Sequence, residues 1–240
     1  MPLIALLVAI TAGALAAQSL LPLPDLLPAT AAARLRTSLD AASRHQRHIW
    51  RDTPPFAEER LVTAYVEIAK GDRRKWEFDM RANARAIDRV ISEDIGGYPV
   101  NYGFVPQTVS YDGDPFDALV LGPPMRGGAA VRGAIVGIMH MEDERGLDSK
   151  VVLSPLRKGR PKYALTEAER TRIGDFFNKY KKHEPGKFSR VLGWGSREDG
   201  LAFVRQTHQF FERQRSQEKG AEESSQENGR NGTKQLLKEP

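Results

Sequence analysis

From Val62 to Ile68 apolar and polar side chains alternate, Val62, Ala64, Val66 and Ile68 against Thr63, Tyr65 and Glu67. A period of two predicts a half-buried strand that carries Glu67 on its other face. Lys75, Glu77 and Asp79 alternate in the same way with Trp76, Phe78 and Met80, and Gly71 and Asp72 lie between the two runs. That spacing predicts a hairpin bringing Glu67 close to Lys75 and Glu77. The apolar run Ala118 to Leu121 predicts another strand. Ala134 to Met141 and Lys150 to Leu153 predict a second hairpin, turning at Gly146 with Asp143 and Asp148 on either side.

Helical spacing occurs in three places. Residues 29 to 50 put Leu35, Leu39, Ala42 and Ile49 roughly on one face, with Arg44, Arg47 and Arg51 making the segment basic. Residues 166 to 182 open on Thr166 and Glu169 in capping-box spacing and carry the stripe Ile173, Phe176, Phe177, Tyr180. The third helix is expected over about 197 to 214. Beyond Gln214 almost nothing apolar occurs until Leu236 and Leu237, a composition that predicts a disordered tail over 214–240.

At the other end, Leu3 to Ala17 is uncharged and apolar and contains Ala14-Leu15-Ala16, an A-x-A cleavage pattern. We read 1–17 as a secretory signal peptide, which makes the mature protein periplasmic or secreted. No Lys or Arg precedes the apolar run, so an uncleaved membrane anchor is the alternative. Pro22, Pro24 and Pro28 argue against a spanning helix, and no stable membrane insertion is expected after processing. Residues 18–57 then form a linker with a helix that packs one stripe on the domain.

Candidate chemistry is densest at Asp112-Gly-Asp-Pro-Phe-Asp117, three carboxylates within six positions that lead straight into the apolar strand. Carboxylates this close repel one another, so the loop is stable mainly when water solvates it or hard divalent cations sit among them. Pro115 pushes Asp114 toward extended geometry, so the three acids can converge. A calcium loop of the EF-hand type is excluded, because Asp117 and Pro123 stand where that pattern needs Gly and Glu. A lone D-x-D-x-x-D would more often be an acidic surface turn, and each nearby Lys or Glu, taken singly, a solvent-facing strand residue.

Taken together, four blocks resemble the family I soluble inorganic pyrophosphatases. They are Tyr65 to Asp79 (Y-V-E-I-A-K-G-D-R-R-K-W-E-F-D), Tyr98 to Phe104 (Y-P-V-N-Y-G-F), Asp112 to Leu121, and Glu142 to Lys150 (E-D-E-R-G-L-D-S-K). The resemblance covers about residues 58–213, which we take as the catalytic domain. It implies an α+β, mainly β fold: a small closed OB-like five-stranded barrel with two flanking helices. It implies metal ligation by Asp112, Asp114, Asp117, Asp143 and Asp148, with Glu67 acting through bound waters. It implies phosphate binding by Lys75, Arg89, Lys150, Tyr180 and Lys181, with Glu77, Tyr98 and Tyr102 in the surrounding polar shell, and Asp114 as general base. The cofactor implied is Mg2+, several ions per site, with Mn2+ or Zn2+ as substitutes. The substrate is pyrophosphate and the expected assembly a homo-oligomer. Ala69 stands where a Pro is common, Trp76 replaces a Tyr, and the loop between Ser154 and Thr166 is short.

The chemistry of the residues agrees. Attack on pyrophosphate needs cations on both sides of an anionic substrate, and Lys75, Arg89, Lys150 and Lys181 can spread the charge of the leaving phosphate. There is no Cys, and no Ser or His stands in a nucleophile-like motif, so direct attack by a metal-activated water fits best. His140 lies near Asp143 but is read as packed rather than ligating. Gly127 and Gly128 are read as a turn, since no Lys-Ser or Lys-Thr pair follows them.

With 240 residues and 40% hydrophobic content the chain can bury one substantial core. Its formal charge of +5 raises nucleic acid as a partner. Basic residues are scattered over both ends, however, while the densest acidic cluster is the candidate site, so no nucleic-acid partner is expected. Two other classes stay open at this stage: a noncatalytic phosphate- or metal-binding module, and a nucleic-acid-binding OB-type barrel.

Overall fold

The strand expected over 62 to 68 has no wet face: every residue from Val62 to Ile68 is buried. The computed structural model, which describes residues 27–58 and 60–236, shows why. In chain order the elements are α1 (Ala29–Ser43), α2 (Ile49–Asp52), β1 (Phe56–Glu58), β2 (Leu61–Ile68), β3 (Arg74–Asp79), β4 (Ala84–Val90), β5 (Asn101–Phe104), β6 (Asp117–Val120), β7 (Ala130–Asp143), β8 (Gly146–Leu147), β9 (Lys150–Arg157), β10 (Arg160–Pro161), α3 (Glu167–Phe177), β11 (Ser189–Gly195) and α4 (Arg197–Leu236). Val62 and Ala64 of β2 pack with Ile138 and Val151, while Tyr65, on the other face, packs under Leu35, Leu39 and Trp50. The amino-terminal segment therefore covers the face that the alternation left for solvent. The expected signal peptide lies outside the described residues, and no helix among those described is long and apolar enough to cross a membrane.

The fold is mainly β, and its strand pairings run around a ring. β2 pairs with β5, β5 with β6, β6 with β9, β9 with β7, and β7 returns to β2. The β6–β9 pair is parallel, with Ala118 opposite Val151, so Asp117 and Lys150 begin neighbouring strands at the same end. The second expected hairpin is present: β7 and β9 are antiparallel, with Met139 opposite Lys150, and Gly146 adopts φ 111° in the connection. Asp143 thus ends β7 beside the starts of β6 and β9. One end of the ring collects the acids.

The first expected hairpin is corrected. β3 pairs with β4, a strand that the periodicity missed, and not with β2. Lys75 faces Arg89 and Trp76 faces Ile87, so Asp88 is the extra residue of a bulge. The burial pattern of β4 explains the miss: Ile87 and Val90 are exposed, so no apolar alternation marks the strand.

Two helices flank the strands as expected. Thr166 caps α3, its hydroxyl accepting the Glu169 N–H at 3.2 Å, and Ile173, Phe176 and Phe177 are buried. α4 packs Phe203, Val204, Phe210 and Phe211 inward. α1 is a third helix of the core, with Leu35, Leu39 and Ala42 buried against Trp50, Phe210 and Phe211. The tail expected to be disordered from residue 214 instead continues α4 as helix through Leu236. No Pro interrupts that stretch, and Glu, Gln, Lys, Arg and Ala make up 12 of the 22 residues from 215 to 236, against three Gly that disfavour helix.

Candidate active site

A cavity of about 640 Å³ opens at the acidic end of the ring. Nine acidic and six basic side chains line it, so acids outnumber cations around it. The Asp112–Asp117 loop forms one wall and is held by its own backbone. Asp112 Oδ1 accepts the Asp114 N–H at 3.0 Å, the Ser110 N–H reaches the Asp114 carbonyl at 2.7 Å, and the Phe116 N–H reaches the Thr108 hydroxyl at 2.9 Å. Gly113 adopts φ 89°, a left-handed turn that glycine permits, and a Cβ there would stand 2.7 Å from Cβ of Arg34 and 2.9 Å from the Ala31 carbonyl. α1 therefore rests directly on the loop.

The structure brings Asp112, Asp114, Asp117, Asp143 and Asp148 to this one cavity, and basic side chains bridge them. Arg145 lies 3.0 Å from Asp112 and 2.9 Å from Asp114. Lys150 lies 2.5 Å from Asp117 and 2.8 Å from Asp148, and Lys181 lies 2.8 Å from Asp143 and from Glu144. Held in these pairs, no three acidic side chains among the described residues close around a single point. Burial, with the charge of Asp114 beside it, pushes Asp112 up to about 7. Glu67 is pushed up too, by burial and then by Asp117, while its Oε1 accepts the Phe78 N–H at 2.7 Å. Glu67 thus reaches β3 as expected, although β2 and β3 are not paired.

Lys150 reaches the site from below, through two of the acids that line the cavity. Its side chain is 1% exposed and sits beneath the cavity, 5.6 Å from the ring centres of Tyr102 and Phe177, with its Nζ turned to the two carboxylates. Burial alone would lower its ammonium, yet Asp117 and Asp148 outweigh burial and raise it. Burial pushes Asp148 up to about 8 in spite of Lys150, and Asp117 adds to the rise. One lysine is shared by two acids and keeps its proton.

Opposite lies the phosphate side. The β3–β4 register sets Lys75 next to Arg89, and Lys75 pairs with Glu77 and stands 3.4 Å from Asp88. Arg89 lies 2.6 Å from Asp88 and 2.7 Å from Glu184, but the second contact is off the hydrogen-bond axis. Its buried Nε and Nη2 therefore have no acceptor among the described residues. Buried donors without acceptors suit an anion arriving from the cavity. Tyr98, Tyr102 and Tyr180 are packed around them. Tyr98 and Tyr102 have ring centres 5.5 Å apart, and Arg89 lies 6.0 Å from the centre of Tyr180. His140 is a packed residue, buried with Nδ1 3.2 Å from the Ser149 hydroxyl.

Reading the residues in sequence missed Arg145, Glu144, Asp88, Glu184 and Arg34. Arg145 and Glu144 lay inside the quoted E-D-E-R-G block, where the turn at Gly146 was the signal that they face the site. The others had no local mark.

The donor set fits hard divalent cations: oxygen ligands without sulfur, several of them buried, with more acids than cations around the cavity. Such a site, facing cationic side chains, defines a metal-dependent hydrolase of phosphate compounds. The sequence model of the inorganic pyrophosphatase family matches residues 64–212, and the chain belongs to that family. It is 38% identical over 143 residues to the inorganic pyrophosphatase of Saccharolobus solfataricus, covering 56% of this chain and 83% of the relative. It is 33% identical over 161 residues to that of Nanoarchaeum equitans, covering 64% and 99%. The solved inorganic pyrophosphatase of Helicobacter pylori superposes with a TM-score of 0.63 at 32% identity, covering 68% of this chain and 99% of that one.

Proposed function

We propose that the chain is an inorganic diphosphatase that hydrolyses pyrophosphate to two phosphates by direct attack of water, with magnesium as its metal. The observation that carries this reading is the single cavity in which five aspartates face Lys75, Arg89 and Lys181. Asp112, Asp114, Asp117, Asp143 and Asp148 would hold the cations, with Glu67 behind them. Bound there, divalent cations neutralise substrate charge and lower the pKa of water. Arg89, with two donors unmet, and Lys75 grip phosphate oxygens, Arg through a forked contact and Lys as a point charge. Asp114, half exposed at the cavity, takes the proton from the attacking water while the bridging oxygen leaves with the second phosphate. Lys181 and the tyrosine hydroxyls stabilise that leaving group. Lys150 holds Asp117 and Asp148 in place from below.

The ring of pairings supports the finer reading of the fold as a closed OB-like barrel. The exposed Ile87, Val90 and Phe188 support a homo-oligomer. The apolar run Leu3 to Ala17 supports export to the periplasm or medium, and the mature chain is expected to begin near Ala17 or Gln18. Intact mass of protein from its native host checks this, and soluble cytoplasmic protein retaining Met1 overturns it.

Magnesium-dependent release of phosphate from pyrophosphate tests the activity. Release that stops with chelator and returns with magnesium is the expected result. Tight phosphate or metal binding without turnover would make the chain a binding module, and salt-sensitive oligonucleotide binding without turnover would make it a nucleic-acid barrel.

A further inference from the structure

Residues 27–58 precede the family match at residue 64, yet they reach the active site. The cavity lining includes Arg34 and Ser38, one helical turn apart on α1, alongside Ser110, Asp112 and Asp114. α1 is fixed in this position on two sides. Leu35, Leu39 and Ala42 are buried against Trp50, Phe210 and Phe211, and a second contact is Gly113, where Ala31 and the Cβ of Arg34 fill the space a side chain would need. The helix cannot shift without moving the Asp112–Asp117 loop.

Arg34 differs from the other cations of the cavity. Lys75, Arg89, Arg145, Lys181 and Lys187 each lie within 4 Å of a carboxylate. The Arg34 side chain is exposed and makes no ion pair or hydrogen bond among the described residues. Its stem is held at Gly113, and among the described residues its guanidinium has no partner at the cavity mouth.

We propose that Arg34 is a substrate-binding residue contributed by the amino-terminal helix, which takes a phosphate oxygen of the incoming diphosphate. This rests on the reading of the site as one for pyrophosphate. A guanidinium with five donors and no partner among the described residues gives an anion a forked contact without first breaking an ion pair to them. At the mouth, the charge also raises the local concentration of a polyanion. The family's own blocks do not include this residue, so the segment adds to a site that the domain already builds.

The test compares Arg34→Gln with Arg36→Gln, a control that removes the same charge from the same helix at an exposed residue outside the cavity lining. Three quantities are read on the folded, full-length chain: KM and kcat for pyrophosphate with magnesium, the calorimetric Kd of methylenediphosphonate in the same buffer, and the magnesium Kd without substrate. Arg34→Gln should raise KM and the diphosphonate Kd about tenfold, the scale of one charge-assisted contact at an exposed position, with kcat within about twofold. Arg36→Gln should match the wild type, and Arg34→Lys should recover part of the loss. Equal diphosphonate affinity in Arg34→Gln and Arg36→Gln overturns the proposal. So does tighter magnesium binding in Arg34→Gln with diphosphonate affinity unchanged, which would assign Arg34 to the carboxylates. Should the wild type release no phosphate, the pyrophosphatase reading fails, and the diphosphonate affinities still decide the role of Arg34.

Discussion

The Nζ of Lys150 lies 2.8 Å from Oδ1 of Asp148 in a place where both side chains are almost closed off from solvent, 1% and 15% exposed. Asp117 completes the group at 2.5 Å. The parallel register of β6 and β9 creates this contact, since it starts both strands at the same level. A buried cation between two acids is a structural keystone of the metal-free site and, through those acids, a support for bound metal.

Lys150→Met should separate these contributions. It leaves Asp117 and Asp148, 20% and 15% exposed, with no cation, a loss on the order of 3 kcal/mol, the low end for breaking a buried pair. Bound magnesium restores positive charge near both acids, so the drop in melting temperature should be much larger with chelator than with saturating magnesium. An equal drop under both conditions would show that Lys150 acts by packing on Tyr102 and Phe177 and not by charge.

Asp114→Asn keeps the size and one oxygen of the side chain but removes the proton acceptor. Turnover should fall on the order of a hundredfold or more, the scale of general-base loss, while the metal-free melting temperature holds or rises as repulsion with Asp112 is relieved. Near-wild-type turnover in the folded variant would remove Asp114 as the base.

Arg89→Ala and Lys75→Ala take charge from the phosphate side only. Binding should weaken and turnover fall, with the magnesium concentration needed for half activity little changed, because the five aspartates are intact. A large shift in that concentration would mean that the β3–β4 hairpin also sets the metal site, through Asp88 or Glu77.

Much of this site could be read locally. The turn at Gly146 and the cap at Thr166 each depend on a few adjacent residues and formed as expected, while the Asp112–Asp117 loop is held by its own backbone with its acids divided between Arg145 and Lys150. The β3–β4 pairing did not declare itself, because β4 exposes Ile87 and Val90 and so lacks a buried face to write into its pattern. Asn83, at φ 52°, was the turn signal between the two strands. The covered outer face of β2 depends on Trp50 and Leu39, residues that mark a buried helix but not which strand they cover. The hold of Arg145 on Asp112 and Asp114 spans 31 residues or more and leaves no periodicity at all.

The role of α1 gives a prediction of stability. Leu35 is fully buried among Trp50, Tyr65 and Phe211, so Leu35→Ala should cost about 2–5 kcal/mol and lower the melting temperature. Because α1 seats on Gly113, the same variant should also reduce activity below the melting range. Full activity at unchanged stability would show that the helix is dispensable to the domain.

His48 ties this segment to the β3–β4 turn and should make its attachment sensitive to pH. The neutral ring is satisfied on both sides, with Nε2–H donating to the Met80 carbonyl at 3.0 Å and Nδ1 accepting the Arg51 N–H at 3.3 Å. Burial pushes the imidazole below its ordinary value; the Met80 carbonyl and Asp52 oppose the shift, while His45 and Arg51 add to it. The unfolded chain therefore takes up a proton first as pH falls through about 6.5, and the folded chain only lower down. Stability from this residue is complete above that pH and is lost as pH drops toward the folded value, where protonation also removes the acceptor that caps α2. His48→Gln keeps a donor and an acceptor but cannot titrate. Its melting temperature at saturating magnesium should fall less than that of the wild type between about pH 7.5 and 5.5, the acids of the cavity being common to both proteins and cancelling in the comparison. Parallel losses in the two proteins would show that the His48 contact does not govern the acid sensitivity of the amino-terminal helix.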